Sequence, residues 1–271
     1  MKKTLWYGLA FIFIFNLSSG WSATKPPAHD PDSGLDLAIF AHVFEDMGDI
    51  ILSPLALRPP HLLYLIPSLL VAGVTLNNDV SVYQRLHDDA KNSFLDKTMP
   101  YLNTLGDGLV GVSALGIVSA LGGKKEKQVC LRGLEALGGV GITVTVLKAI
   151  TAATRPDQNP QGRKFFQYSA FLRDDSMPSG HTAVAFALAT VLGKSYHQEV
   201  FAYVLAAGAG VARVYLGAHW PSDVIMGGLL GTWIGSLVMD KRGLGQEQEQ
   251  VVSFSPIWQE GRPALALTVR W

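Results

Sequence analysis

The sequence predicts an all-α fold, a bundle of about five or six core helices that is embedded in or associated with a membrane, followed by a short hairpin-like β tail. Composition supports this, because 48% of the 271 residues are hydrophobic and only 16% are charged, which excludes intrinsic disorder. The 28 glycines suit helices that pack closely. Several apolar segments are also too long for ordinary strands, namely 62–76, 105–121, 134–147, 183–192, 200–214 and 224–239.

Charge and cysteine content narrow the function classes. Lysine plus arginine and aspartate plus glutamate both count 22, so the formal net charge is zero and a globally basic nucleic-acid binder is disfavoured. The single cysteine, Cys130, excludes an intrachain disulfide and a cysteine-based zinc cluster, and we predict that it is a core residue.

The two ends of the chain differ from its middle. Residues 1–23 place basic, apolar and small residues in the order of a secretory signal peptide, with an uncleaved N-terminal anchor as the alternative. Residues 24–60 are predicted to be a linker and peripheral segment, residues 61–240 the helical domain, and residues 241–271 a C-terminal tail. In the tail, the strand-like runs 251–254 and 264–269 predict a small hairpin.

The stretch from Asn77 to Pro100 is polar and predicts an amphipathic helix on the bundle or membrane surface. Its apolar face would carry Tyr83, Leu86, Ala90, Phe94 and Leu95. His87, Asp88 and Asp89 are adjacent in sequence and therefore point in different directions on a helix, so we interpret them as a solvated face rather than a metal site.

Three motifs between Lys148 and Asp223 carry the candidate chemistry. The first is Lys148 with Arg155 and Pro156, in the pattern K-x6-R-P. If the helix persists over two turns, both cations share one face, and Pro156 then ends it. Two convergent cations at a helix end suit a phosphate, although an ordinary basic helix end has the same pattern.

The second motif is Pro178-Ser179-Gly180-His181, directly before an apolar helix. Ser179 is placed as the N-cap, and Gly180 lets backbone amides approach an anion at the positive helix end. His181 would lie beside that anion. A simple capped helix start is the alternative.

The third motif is Arg213, His219 and Asp223, in the pattern R-x5-H-x3-D. A carboxylate beside a histidine holds one ring nitrogen protonated and leaves the other free to attack an electrophile. Arg213 supplies a planar fork for oxyanions. Asp223 as a mere helix cap and His219 as an ordinary loop residue are the alternatives.

Together and in this order, the three motifs resemble the type 2 phosphatidic acid phosphatase family, which also includes bacterial class A acid phosphatases and vanadium haloperoxidases. The resemblance is close from Lys148 to Asp223 and extends loosely over 62–239. One departure is Ala212, where the family commonly has serine. A hydroxyl contact is thereby lost, which bears on phosphate affinity more than on reaction type.

The resemblance implies a phosphatase with no metal and no cofactor. His219 would be the nucleophile that forms a phosphohistidine, Asp223 would orient it, and His181 would protonate the leaving group and then activate water. The phosphate ligands would be Lys148, Arg155, Ser179, Gly180 and Arg213. The remaining histidines are interpreted as surface or packing residues; they are His29, His42, His61, His87 and His197.

The motifs fall at one end of an alternating bundle. The loops at the other end are basic and contain Lys124, Lys125, Lys127, Arg132, Lys194, Lys241 and Arg242. If the bundle spans the bacterial inner membrane, these loops face the cytoplasm and the site faces the periplasm. An exported N-terminus followed by a full span at 62–76 would invert this topology. Either that segment does not cross, or the start of the chain is something other than a simple signal peptide. A soluble periplasmic bundle is the alternative.

The substrate expected from the resemblance is a phosphorylated lipid, either phosphatidate-like or polyprenyl, whose phosphomonoester or pyrophosphate group is hydrolysed. A soluble periplasmic acid phosphatase acting on small phosphomonoesters is the main alternative. A vanadium haloperoxidase and a non-enzymatic membrane protein are further alternatives. The sequence gives no protein partner.

Overall fold

The computed structural model describes residues 71, 73–168 and 176–241 and the backbone of 251–259 and 262–270. Helical residues at 73–76 precede seven α-helices whose two ends both lie in the described part of the chain. These are α1 Asp79–Gln84, α2 Ser93–Thr104, α3 Gly108–Leu121, α4 Lys124–Thr151, α5 Gly180–Tyr196, α6 Glu199–Tyr215 and α7 Pro221–Lys241, with a π-helical turn at Arg85–Asp89 after α1. The predicted all-α bundle of five or six core helices is confirmed, since α2 to α7 each contain 12 residues or more.

The C-terminal tail forms the predicted hairpin. Strands β1 Val251–Gln259 and β2 Arg262–Arg270 pair antiparallel. Both are longer than the runs predicted from sequence. The signal peptide or anchor at 1–23, the linker at 24–60, most of the apolar segment at 62–76 and three of the histidines, His29, His42 and His61, lie outside the described residues.

The single amphipathic helix predicted from Asn77 to Pro100 is wrong. The chain instead forms α1, the π-helical turn and then α2, which continues through Pro100 to Thr104. The break arises at Asn92, whose side chain caps α2 by accepting hydrogen bonds from the backbone N–H groups of Phe94 (3.1 Å) and Leu95 (3.0 Å). Capping favours a new helix start at this position over continuation of the first helix.

Helix α4 ends earlier than the shared-face interpretation of Lys148 and Arg155 requires. Its C-cap, Ala152, adopts a left-handed conformation (φ 38°, ψ 53°), so Arg155 lies in the following coil. The residue before a proline avoids the helical region, which explains why the helix cannot reach Pro156. The two cations therefore approach the site from a helix and from a loop.

The core lies between α4, α5 and α7. Its largest cluster joins buried apolar side chains of these three helices, including Val140, Ala187, Ile234 and Leu237. A second cluster joins α5 to α6 through Phe186 and Tyr203. Cys130 is buried beside Leu115 and Leu188, as predicted.

A glycine stripe on α7 lets this helix approach α5 closely. An added Cβ would lie 2.4 Å from the Ser179 carbonyl oxygen at Gly227, 2.1 Å from the Ala183 carbonyl oxygen at Gly231, and 2.8 Å from Thr190 Cβ at Gly235. Because these glycines are four residues apart, they share one helix face. The stripe brings the start of α5 against the first turns of α7.

The two ends of the bundle have different character. At one end Lys125 Nζ lies 5.1 Å from the Tyr196 ring centroid, and Lys194 pairs with Asp240 at 3.7 Å. At the other end the Ser179 N–H donates to the Asp223 carbonyl oxygen at 3.0 Å. Lys125 and Lys194 therefore lie at the end opposite the three motifs.

Two described helices, Lys124–Thr151 and Pro221–Asp240, are long and apolar enough to cross a membrane. Helices α2 and α3 pass the same test as a pair, with a bend of 63° between them. Several large apolar side chains on this pair are exposed, including Tyr101, Leu109, Ile117 and Leu121. This surface suits lipid better than water.

We expect Gly231→Ala to destabilise the protein by about 1–3 kcal/mol, because the new methyl group meets α5 backbone that cannot rotate away. Gly116→Ala is the matched control, since nothing lies within 4 Å of an added Cβ there. It should leave stability unchanged or raise it by up to about 1 kcal/mol. Thermal unfolding of the detergent-solubilised protein measures both. Equal unfolding temperatures for the two variants would contradict the close α5–α7 packing.

Candidate active site

The loop between α6 and α7 is fixed by a helix-ending motif. The Ala218 N–H donates to the Arg213 carbonyl oxygen and the Gly217 N–H to the Val214 carbonyl oxygen, both at 3.0 Å, which is the Schellman arrangement. Gly217 has a φ of +77°, which suits glycine. His219 follows two residues later, so its position is set by the end of α6.

The start of α7 fixes the loop from the other side. The Asp223 side chain folds back, and its Oδ2 accepts a hydrogen bond from the Trp220 N–H at 2.9 Å, as in the second half of a capping box. The same oxygen accepts from the Ser176 hydroxyl and lies 3.4 Å from His219 Nδ1. Asp223 therefore both caps α7 and faces His219, which combines the two roles left open by the sequence.

His219 is buried, with 2% of its surface exposed. Burial, which disfavours the imidazolium, lowers its pKa to about 4, although the contact with Asp223 acts in the opposite direction. The ring is therefore neutral at pH 7. With a carboxylate beside Nδ1, the proton belongs on Nδ1, and Nε2 carries the free electron pair.

The second motif is hydrogen-bonded to the third. Ser179 caps α5 as predicted, and its Oγ accepts from the Thr182 hydroxyl at 2.9 Å. Its N–H donates to the Asp223 carbonyl oxygen. Gly180 and His181 are the first two residues of α5, so the positive end of this helix opens beside Asp223.

The three predicted cations gather around the two histidines. Burial lowers the pKa of His181, and the charge of Arg213 is the next cause, with smaller effects from Lys148 and Arg155. Arg155 and Arg213 also act on His219. The structure thus brings together the residues predicted from sequence, although they come from four helices, α4 to α7, and two loops.

Arg213 is held from outside the motifs. Its Nη1 donates to the Asn103 side-chain oxygen on α2 at 2.9 Å. Burial lowers the pKa of Arg213 to about 10, so it stays charged at neutral pH. Ala212, which stands where the family commonly has serine, is fully buried against Met99 and Tyr215.

Other polar side chains at the site were missed by sequence reasoning. They are Asp79, Asn103, Arg163 and Ser176. Arg163 Nη2 lies 2.7 Å from Asp223 Oδ1 and 3.3 Å from Asp79 Oδ2. Single polar residues in a loop or near either end of a helix carry no periodic or motif signal, so only the fold could place them here.

His87 is partly buried and makes specific contacts, in contrast to the solvated face predicted from the sequence. Its Nδ1–H donates to the Tyr215 carbonyl oxygen at 2.7 Å, and its ring stacks on Tyr83 at 4.9 Å. Asp88 and Asp89 are exposed, as predicted, and so is His197.

Comparison with known proteins identifies one family model and several relatives. Residues 131–243 match the model of the PAP2 superfamily. The chain is 40% identical to the lipid A 1-phosphatase of Porphyromonas gingivalis, over 30% of this chain and 23% of that protein. It is 36% identical to the undecaprenyl-diphosphatase of Sulfolobus acidocaldarius, over 27% of this chain and 36% of that protein. The matched part therefore spans well under half the length of these curated relatives.

Two solved structures are also similar. The crystal structure of Aquifex aeolicus LpxE has a TM-score of 0.44 and 26% identity, covering 59% of this chain and 94% of that chain. The PAP2-type phosphatidylglycerolphosphate phosphatase of Bacillus subtilis has a TM-score of 0.45 and 19% identity, covering 79% and 97%.

The family match begins in α4 and ends just after α7, and it contains all three motifs on which the resemblance depends. The segment 131–243 is thus similar to the PAP2 superfamily, and this match covers less than half of the chain.

Proposed function

We propose that this protein is a membrane phosphatase that hydrolyses a phosphomonoester or pyrophosphate group of a lipid, through a phosphohistidine and without a metal. The observation that carries the proposal is the buried His219, whose Nδ1 faces Asp223 at 3.4 Å within the electrostatic influence of Arg155 and Arg213. The names of the relatives, a lipid A 1-phosphatase and an undecaprenyl-diphosphatase, support the lipid class of substrate.

In the first step, His219 Nε2 attacks phosphorus while the bond from phosphorus to the leaving oxygen breaks. Asp223 keeps the proton on Nδ1 and stabilises the positive charge that develops on the ring. His181 donates its proton to the leaving oxygen, so the product departs as an alcohol or a phosphate.

In the second step, the now neutral His181 removes a proton from water, and the oxygen attacks the phosphohistidine. The nitrogen–phosphorus bond breaks, inorganic phosphate is released, and His219 returns to its neutral form with Nε2 free. His181 ends protonated, as it began. One water molecule is consumed in each cycle.

Charge on the phosphoryl oxygens would be stabilised by Lys148, Arg155 and Arg213. Ser179 and the Gly180 amide add donors at the positive end of α5. These groups are fixed before the substrate binds, so little reorganisation is required in the transition state. Three side-chain cations take the place that a divalent ion holds in many phosphoryl-transfer sites.

The bend between α2 and α3 supports a lipid substrate. Gly106 at this bend packs so closely on the start of α5 that an added Cβ would lie 2.5 Å from the His181 carbonyl oxygen. Tyr101 and Leu109, on either side of the bend, are 75% and 80% exposed. An apolar surface that begins beside the phosphate site suits a lipid tail.

For location, we propose the bacterial inner membrane with the site facing the periplasm. The basic end of the bundle, with Lys125 and Lys194, then faces the cytoplasm, in agreement with the positive-inside rule.

The substrate class is tested by phosphate release from a panel of lipid phosphates, lipid diphosphates and soluble phosphomonoesters, assayed in membrane and soluble fractions separately. We expect activity on lipid substrates in the membrane fraction. Turnover of soluble esters alone in the soluble fraction would favour a periplasmic acid phosphatase instead. Halide oxidation with added vanadate would favour a haloperoxidase.

His219→Ala should lower kcat by about 10⁴-fold or more, because the nucleophile is lost. His197→Asn is the matched control, since His197 is exposed and has a left-handed backbone that asparagine tolerates. Near wild-type activity in His219→Ala would contradict the proposed nucleophile.

The pH profile of kcat/KM should be bell-shaped, with its optimum on the acidic side of neutrality. His219 acts as the neutral base, so activity rises with pH through its pKa of about 4. His181 acts as the protonated acid, so activity falls as pH rises through a pKa that burial places below the usual 6.5. His181→Asn should lose the alkaline limb. A wild-type profile that still rises above pH 7 would overturn these assignments.

Phosphatase activity should persist in excess EDTA, because side chains supply the positive charge at the proposed site. Orthovanadate should inhibit, since its five-coordinate form resembles the transition state. Activity that is lost in EDTA and restored by a divalent cation would contradict a metal-free site.

A further inference from the structure

Arg163 lies between two buried carboxylates, Asp79 and Asp223, at the motif end of the bundle. Its side chain is 4% exposed, and its Nη2 contacts Asp223 Oδ1 at 2.7 Å and Asp79 Oδ2 at 3.3 Å. Arg163 follows the first motif in a loop, and none of the three motifs includes it. Its Nη1 also contacts Met177 Sδ at 3.4 Å, which fixes the guanidinium plane from the side of the second motif.

Asp79 completes a closed ring of contacts. Its Oδ1 accepts a hydrogen bond from the Ser222 N–H at 2.9 Å, and its Oδ2 accepts from the Ser222 hydroxyl at 2.7 Å. Ser222 precedes Asp223 in the first turn of α7. The ring therefore runs from Asp79 through Ser222, Asp223 and Arg163 back to Asp79, and it ties α1 to the start of α7.

The two oxygens of Asp223 have different partners. Oδ2 faces His219 and accepts hydrogen bonds from Trp220 and Ser176. Oδ1 faces Arg163. A guanidinium on Oδ1 restricts rotation of the carboxylate, and this rotation decides whether Oδ2 stays opposite His219 Nδ1.

We propose that Arg163, itself held by Asp79, is a positioning residue that fixes the Asp223 carboxylate and through it the orientation and tautomer of His219. The inference rests on the proposed function of His219 as nucleophile. It extends the site beyond the family match, because Asp79 lies before residue 131.

The kinetic test compares Arg163→Gln with the double variant Asp79→Asn/Arg163→Gln. The single variant leaves two buried carboxylates with no cation between them, so both the unfolding temperature and kcat should fall. The double variant removes one carboxylate together with the cation, which restores the charge balance. Its unfolding temperature should recover, whereas kcat should stay about 100-fold below wild type at similar KM, because Asp223 still lacks its guanidinium.

Two further variants sharpen the comparison. Arg163→Lys keeps a cation and should recover part of the lost kcat. Asp240→Asn is the matched control, since it breaks the half-buried Lys194–Asp240 pair at the far end of α7, about 25 Å along the helix from Asp223. It should leave kcat unchanged. Recovery of kcat together with stability in the double variant would overturn the positioning role and leave Arg163 merely structural.

A second readout does not depend on turnover. In protein labelled with ¹⁵N-histidine and assigned with His219→Gln, the His219 ring should have its proton on Nδ1 in the wild type and a mixture of tautomers in Arg163→Gln. The same tautomer in both would overturn the inference. If the wild type releases phosphate from no substrate of the panel, the proposed function fails, and this spectrum alone decides the role of Arg163.

Discussion

The contact between the first turns of α5 and α7 is the constraint on which the rest of the site depends. The Ser179 N–H reaches the Asp223 carbonyl oxygen only because Gly227 and Gly231 let the two helices approach closely. Once they meet, the cap of α5 and the cap of α7 lie side by side. His181 then follows from the first cap and His219 from the second. A larger residue in the glycine stripe would therefore push α5 and α7 apart and increase the distance between His181 and His219, although it would contact neither histidine directly.

Burial of the charged side chains at the site is the second constraint. The chain has zero net charge, yet several cationic side chains lie close together at this site. A buried charge is costly unless it is paired, so the site alternates signs: Asp79, Arg163 and Asp223 neutralise one another in part, and Asn103 supports Arg213. The same low polarity keeps His219 neutral. Its lone pair is therefore available at pH values where an exposed histidine would already be protonated.

The sequence predicted those features that depend on neighbours in the chain. Ser179 as an N-cap and the approach of Asp223 to His219 follow from spacing within one or two helical turns, and the structure has both. Longer-range features were not predictable. The end of α4 at Ala152 depends on a left-handed cap that Pro156 suggests but does not locate. The contacts of Asp79 and Asn103 join helices far apart in sequence, and a lone polar residue in an amphipathic stretch is indistinguishable from a solvated one.

These long-range contacts join the segment 131–243 to the helices that precede it. The segment 131–243 contains the three motifs, whereas α1 and α2 precede it. Asp79 of α1 contacts Arg163 and Ser222, and Asn103 of α2 accepts a hydrogen bond from Arg213. The α2–α3 bend adds exposed apolar surface beside His181. In the proposed enzyme, residues of the segment 131–243 would carry out the chemistry. The helices before it would orient the catalytic side chains and contact the lipid tail of the substrate. On this proposal, substitutions in α1 to α3 would alter which lipid is accepted, whereas the reaction at the three motifs would stay the same.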